Sequence, residues 1–215
     1  MQLRPKSILV AVDVVDPALN AIDAAEALAQ VVGGELQLVC ALSSRSPAFY
    51  GPEALVSLRD DWKELKAWAR GRLAKLAARV KTVPMGIRLV EGFPETALTE
   101  LASSGRYGLV VLGTHGYTGV RRVVYGSVAE AVVRDAKVPV LTMPPGARLK
   151  RPERILVPYN MAPYAARALR LGAALAEDFG GRVSAVYVAE DRDDAVKARK
   201  LEHSIRRAPG GGAGP

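Results

Sequence analysis

SILVAVDVVDPALNAIDAAEALAQVVGGELQLVCAL, residues 7–42, is the stretch from which the fold is read. Its opening, Ser7 to Asp13, is a near-continuous run of β-branched and aliphatic residues, the pattern of a strand buried on both faces of a parallel sheet. Asp16 and Pro17 read as the N-cap and first-turn residue of a helix. The apolar positions of that helix, Ala21, Ala24, Ala25, Leu28 and Val32, recur at three- and four-residue spacing and stop at Gly33-Gly34. Leu36 to Leu42 supplies the next strand, and strand-helix-strand is the repeating unit of a parallel α/β sheet.

Working outward, Ser43 to Pro52 reads as a polar loop, and Glu53 to Val80 as a long amphipathic helix through Leu55, Leu58, Trp62, Leu65, Ala69, Leu73, Leu76 and Val80. Its two tryptophans read as core or edge packing. Met85 to Val90 is a third strand, Pro94 to Ser103 a short helix, Gly108 to Gly113 a fourth strand, Ser127 to Asp135 a helix and Val138 to Met143 a fifth strand. This alternation predicts an α/β fold: an open, doubly wound parallel five-stranded sheet in the order 3-2-1-4-5, with right-handed crossovers. A domain over residues 1–145 is followed by a linker, 146–153, opened by Pro144, Pro145 and Gly146. The chain then repeats itself: Ile8–Ala41 aligns without a gap onto Ile155–Val188, with roughly a third of about 34 positions identical. Residues 154–190 therefore read as a C-terminal partial β-α-β repeat, and the charged, Gly/Pro-rich residues 191–215 as a flexible tail.

Composition narrows the function. Of the 215 residues, 49% are hydrophobic and 24% charged, an ordinary globular balance. No apolar run approaches the roughly 18 residues of a membrane span. Met1 to Lys6 run directly into the first strand without a signal-peptide apolar region, so the expected location is the cytoplasm. A single cysteine, Cys40, excludes an intrachain disulfide and a cysteine-based metal cluster. The net charge of +8 comes from 30 Lys and Arg against 22 Asp and Glu. These basic residues are dispersed along Lys63 to Arg79, at Arg121 and Arg122 and near the C-terminus, with no aromatic stacking platform among them. They read as a solvated basic surface and argue against specific nucleic-acid recognition.

The chemistry concentrates where the fourth strand ends. Gly113-Thr114-His115-Gly116, then nine residues, then Gly126-Ser127 at a helix start gives G-x2-G-x9-G-S. Glycines let backbone N–H groups approach an anion, and a helix start adds unpaired donors and a positive dipole end. In an open parallel sheet, ligands sit beyond the carboxyl ends of the strands where strand order reverses. Asp13, ending strand one, therefore belongs beside the end of strand four. A carboxylate there can meet a ribose hydroxyl or a divalent ion. On the residues alone, Gly113 and Gly116 equally suit a tight turn, Ser127 a plain N-cap, and Asp13 a strand-ending residue that orders its turn. His115 reads as a loop residue and Cys40 as a small buried hydrophobe.

ILVAVD at Ile8 to Asp13, VEGFP at Val90 to Pro94 and the block GLVVLGTHGYTGVRRVVYGSVAEAVVRDAKVPVLTM at residues 108–143 resemble, in order, the universal stress proteins in their ATP-binding branch. The resemblance covers Lys6 to Met143. It implies that Gly113, Gly116, Gly126, Ser127 and the Val128 backbone hold the phosphates of ATP, with Thr114 and His115 also among the nucleotide-binding residues. Asp13 then faces the ribose or an accompanying Mg or Mn ion, Ala11 and Val12 belong to the nucleotide-binding residues, and Val39 with Cys40 lines the adenine. Two departures stand out: Val14-Val15 follow Asp13 where the family usually has Gly-Ser, and Tyr117 occupies a position that is often basic.

No nucleophile with an adjacent base and no Walker-type G-x4-G-K-S/T is present. The expectation is an adenine-nucleotide-dependent stress-response or signalling module without dedicated catalysis, hydrolysing ATP weakly at most. An adenylating enzyme of a related fold would need S-G-G-x-D-S after strand one, and Asp13-Val14-Val15-Asp16 is not that. The other alternative is a dimerisation module that has lost nucleotide. Asn160 replaces the strand-one aspartate in the partial copy, and no second glycine motif follows Met143, so that copy is not expected to bind nucleotide. The resemblance further implies a homodimer through the Val138–Met143 strand, an apolar edge without an internal charge.

Overall fold

The computed structural model describes residues 6–43, 61–114, 126–149 and 152–188. The expectations for the loop beyond Ser43, for the helix start at Glu53, for His115, Gly116, Tyr117, Arg121 and Arg122 and for the tail lie outside these residues. The chain divides into two compact units, Leu3–Lys150 and Arg151–Pro215 with Met1–Gln2.

The first unit runs β1 Ser7–Ala11, α1 Leu19–Val32, β2 Glu35–Leu42, α2 Asp61–Ala77, β3 Met85–Glu91, α3 Pro94–Ala102, β4 Leu109–Gly113, α4 Ser127–Asp135 and β5 Val140–Met143. All strand pairs are parallel, and the sheet order is β3-β2-β1-β4-β5, as the alternating pattern predicts. Strand β1 is central. It pairs with β2 from Ser7↔Glu35 to Ala11↔Val39, and with β4 from Ile8↔Leu109 to Ala11↔Leu112. Its alternate residues therefore face two cores. Leu9 and Ala11 join Val39, Ala41, Val110 and Leu112 beneath Leu98, Leu101, Ala129 and Val132 of α3 and α4. Ile8 and Val10, equally buried, belong to the opposite face, where the alanine-rich stripe Ala21, Ala24, Ala25 and Ala29 lets α1 approach closely.

Helix α1 stops where the glycine pair predicts. Gly33 is left-handed at φ 65, and its N–H closes onto Ala29 O. The start differs from expectation. The helix begins at Leu19 with Ala18 as N-cap and no side-chain cap, so Asp16-Pro17 is not its capping pair. Asp13 organises this turn instead, its Oδ1 accepting the Val15 N–H at 2.7 Å. Strand β5 likewise begins at Val140 rather than Val138, because Pro139 has no N–H for the ladder and contributes only its carbonyl, to the Val110 N–H at 3.0 Å. Of the two tryptophans on α2, Trp62 packs at the sheet edge and donates Nε1–H to Glu91 at 3.1 Å. Trp68 is exposed rather than in the core, since the buried stripe of α2 passes through Ala69 and Leu73.

The second unit comprises β6 Arg154–Pro158, α5 Pro163–Phe179 and β7 Arg182–Val186. Its strands are parallel, and Ile155 pairs with Val183 as Ile8 pairs with Leu36, the same register carried forward by the gap-free repeat. Helix α5 ends at Gly180, left-handed at φ 67, the counterpart of Gly33. Gly172 lets α5 approach the sheet: a Cβ there would come within 3.0 Å of Val157 Cγ2. The other face differs from its counterpart in the first unit, Leu156 being 65% exposed where Leu9 is fully buried.

Candidate functional site

The carboxyl edge of the five-stranded sheet gathers most of the residues singled out by sequence. At β1, the Val12 N–H continues the ladder onto Val39 O at 2.9 Å, so the chain stays sheet-like up to Asp13. Val14 is fully buried, and its carbonyl accepts Arg72 Nε–H from α2 at 3.2 Å. With Asp13 Oδ1 holding the Val15 amide, the turn after β1 is fixed at three successive residues. Val14 is accommodated there by complete burial.

Val39 and Cys40 end up on opposite faces of β2, as consecutive strand residues must. Val39 belongs to the core beneath α3 and α4. Cys40 is buried, and its thiol is pushed up to about 12, chiefly by burial and secondarily by the Asp13 charge, against a backbone hydrogen bond from Val14. That thiol is protonated and unreactive at neutral pH.

At β4, a Cβ on Gly113 would lie 2.5 Å from the Ala18 Cβ, so this glycine is required by the close passage of the β1–α1 turn. Thr114 is buried. Its N–H reaches Met143 O at 3.2 Å, and its carbonyl accepts the Gly126 N–H at 2.9 Å. The last bond brings the two halves of G-x2-G-x9-G-S together at their base. Helix α4 then begins with Gly126 as an extended N-cap and no side-chain cap. Ser127 is therefore not the N-cap. Its hydroxyl turns instead to α3 and donates to Glu95 Oε1 at 2.8 Å. The start of α4 presents first-turn amides at a positive dipole end, donors suited to an anion, while the Ser127 hydroxyl is engaged by Glu95.

Two participants escape sequence reasoning. Glu95 is signalled locally only as an acid following the Pro94 helix start. Arg72, whose guanidinium lies over the Trp68 ring at 5.9 Å, is signalled only as one charge in a basic run. Among the described residues, no group of three or more His, Cys, Asp or Glu could hold a metal ion, and no helix is long and apolar enough to cross a membrane.

Comparison with known proteins agrees with this architecture. The universal stress protein family model matches residues 5–144 and 152–209. A universal stress protein of Methanocaldococcus jannaschii is 39% identical over 61 residues, 28% of this chain and 36% of its own length, so the match spans about a third of that relative. The universal stress protein A homolog of Coxiella burnetii is 29% identical over 139 residues, 64% of this chain and 95% of that protein. Among solved structures, a universal stress protein from Archaeoglobus fulgidus superposes with a TM-score of 0.74 at 20% identity, covering 93% of this chain and 73% of its own.

Gly113→Ala should destabilise the first unit by about 1–3 kcal/mol through overpacking against Ala18, read by urea unfolding. Adding Ala18→Gly should recover part of that loss. Equal stability of Gly113→Ala and the parent protein would show that the contact is not tight.

Proposed function

Since the chain belongs to the universal stress protein family, with one complete domain and a partial second copy, we propose that residues 1–145 bind ATP, with Mg or Mn arriving on the nucleotide. The bond from the Gly126 N–H to Thr114 O at 2.9 Å carries this reading, because it joins both halves of the glycine motif beside β1. In the proposed arrangement the phosphates meet Gly113, Thr114, His115, Gly116, Gly126, the Ser127 hydroxyl and the Val128 amide. Asp13 meets the ribose or the metal, near Ala11 and Val12, and the adenine lies against the strand end at Val39 and Cys40, whose side chains are themselves buried. The uncapped start of α4 supports the phosphate assignment. The bound nucleotide then serves a stress-response or signalling role in the cytoplasm rather than a dedicated catalytic cycle. The partial copy over 154–190 serves packing. A module without nucleotide is the second reading. It is favoured by the internal partners that Asp13 Oδ1 and the Ser127 hydroxyl already have.

Titration calorimetry with magnesium ATP should find one nucleotide per chain. Gly126→Val should weaken binding by roughly tenfold or more, by crowding the anion's approach to backbone, while Cys40→Ala leaves it near the parent value. Absence of binding at millimolar ATP overturns the nucleotide reading and favours the second one.

We also propose a homodimer through β5. This strand is the edge of the five-stranded sheet, its VLTM sequence carries no charge, and Val140 and Leu141 are only half-buried. Antiparallel pairing about a two-fold axis would satisfy that edge. Light scattering should give twice the 22.9 kDa chain mass, falling to the monomer in Val140→Lys; a monomeric parent protein contradicts the dimer.

A further inference from the structure

Glu95 and Ser127 are 32 residues apart in sequence and one hydrogen bond apart in space. Glu95 is carried in the first turn of α3, directly after Pro94, and Ser127 opens α4. The two helices share a core through Leu98, Leu101, Ala129 and Val132, so packed elements rather than a loop hold the carboxylate against the hydroxyl. Glu95 is half-buried and its bond to Ser127 is exposed, so its charge acts on a neighbouring anion at the strength of a surface pair. If Ser127 donates to a phosphate oxygen, as the nucleotide reading requires, that oxygen comes next to a carboxylate of the same sign.

We propose that Glu95 is a specificity-determining residue that sets the charge state of the nucleotide accepted here, disfavouring free polyphosphate and favouring its divalent-metal complex. This inference rests on the nucleotide reading. The physical cause is like-charge repulsion at one shared donor, reduced when a divalent cation offsets part of the phosphate charge. Glu95→Gln isolates the charge, since the amide oxygen still accepts from Ser127 and the side chain keeps its size.

The test is calorimetry on the full chain with ATP in magnesium and with ATP in excess chelator. Glu95→Gln should tighten metal-free ATP by roughly tenfold, the size expected of one like charge near a protein surface. It should change magnesium ATP by less than about threefold, because the bound cation already offsets part of the phosphate charge. Glu64→Gln, which removes the same charge from an exposed position on α2, should leave both affinities unchanged. Equal effects of Glu95→Gln on the two ligands, or none on either, overturn the proposal and leave the nucleotide reading intact. Failure of every protein to bind either ligand overturns both.

Discussion

The placement of β1 between β2 and β4 is the constraint on which the rest depends. A strand paired on both edges and buried on both faces must be apolar along its whole length, and Ile8, Leu9 and Val10 meet that demand with complete burial. Two consequences follow at its carboxyl end. The chain must leave toward α1 directly beside β4, which forces Ala18 against Gly113 and excludes a side chain there. The connections after β1 and β4 also depart to opposite faces, opening the crevice that parallel α/β sheets use for ligands. The glycine motif thus combines two demands: Gly113 answers to packing, whereas Gly126 and Ser127 answer to the opening of α4.

The fold was legible because its signals are local. SILVAVD and GLVVLG are runs that only doubly buried strands tolerate, and Gly33-Gly34 and Gly180-Gly181 end their helices by the same left-handed cap. The repeat was legible for the same reason, down to its register. Less legible were choices between equivalent local signals. Asp13 and Asp16 can each order a turn; Asp13 does so, and the helix starts without a side-chain cap. The partners of the site were not legible at all. Glu95 reaches Ser127 across 32 residues and Arg72 reaches Val14 across 58, contacts made by packing helices onto the sheet rather than by any spacing in the chain.

Comparison of the two copies shows what a β-α-β unit lacks on its own. Leu9 and Leu156 occupy the same place in the repeat and pair in the same register, yet one is buried and the other 65% exposed. In the first unit, α3, α4 and the neighbouring β4 supply the missing cover. Asn160 stands at the Asp13 position, and its side chain bonds Tyr164 Oη and the Ala162 N–H. The copy therefore keeps the ordered turn of the first unit without its carboxylate.

The proposed nucleotide site lies at the carboxyl end of β1 and β4. Its most direct test is an amide NMR titration of the full chain with magnesium ATP. Binding at that site should concentrate shift changes at residues 11–14, 39–40, 113–116 and 126–128, with residues 154–188 unmoved. Shifts centred on the second unit, or at the amino edge of the sheet around Glu35 and Pro84, would contradict it.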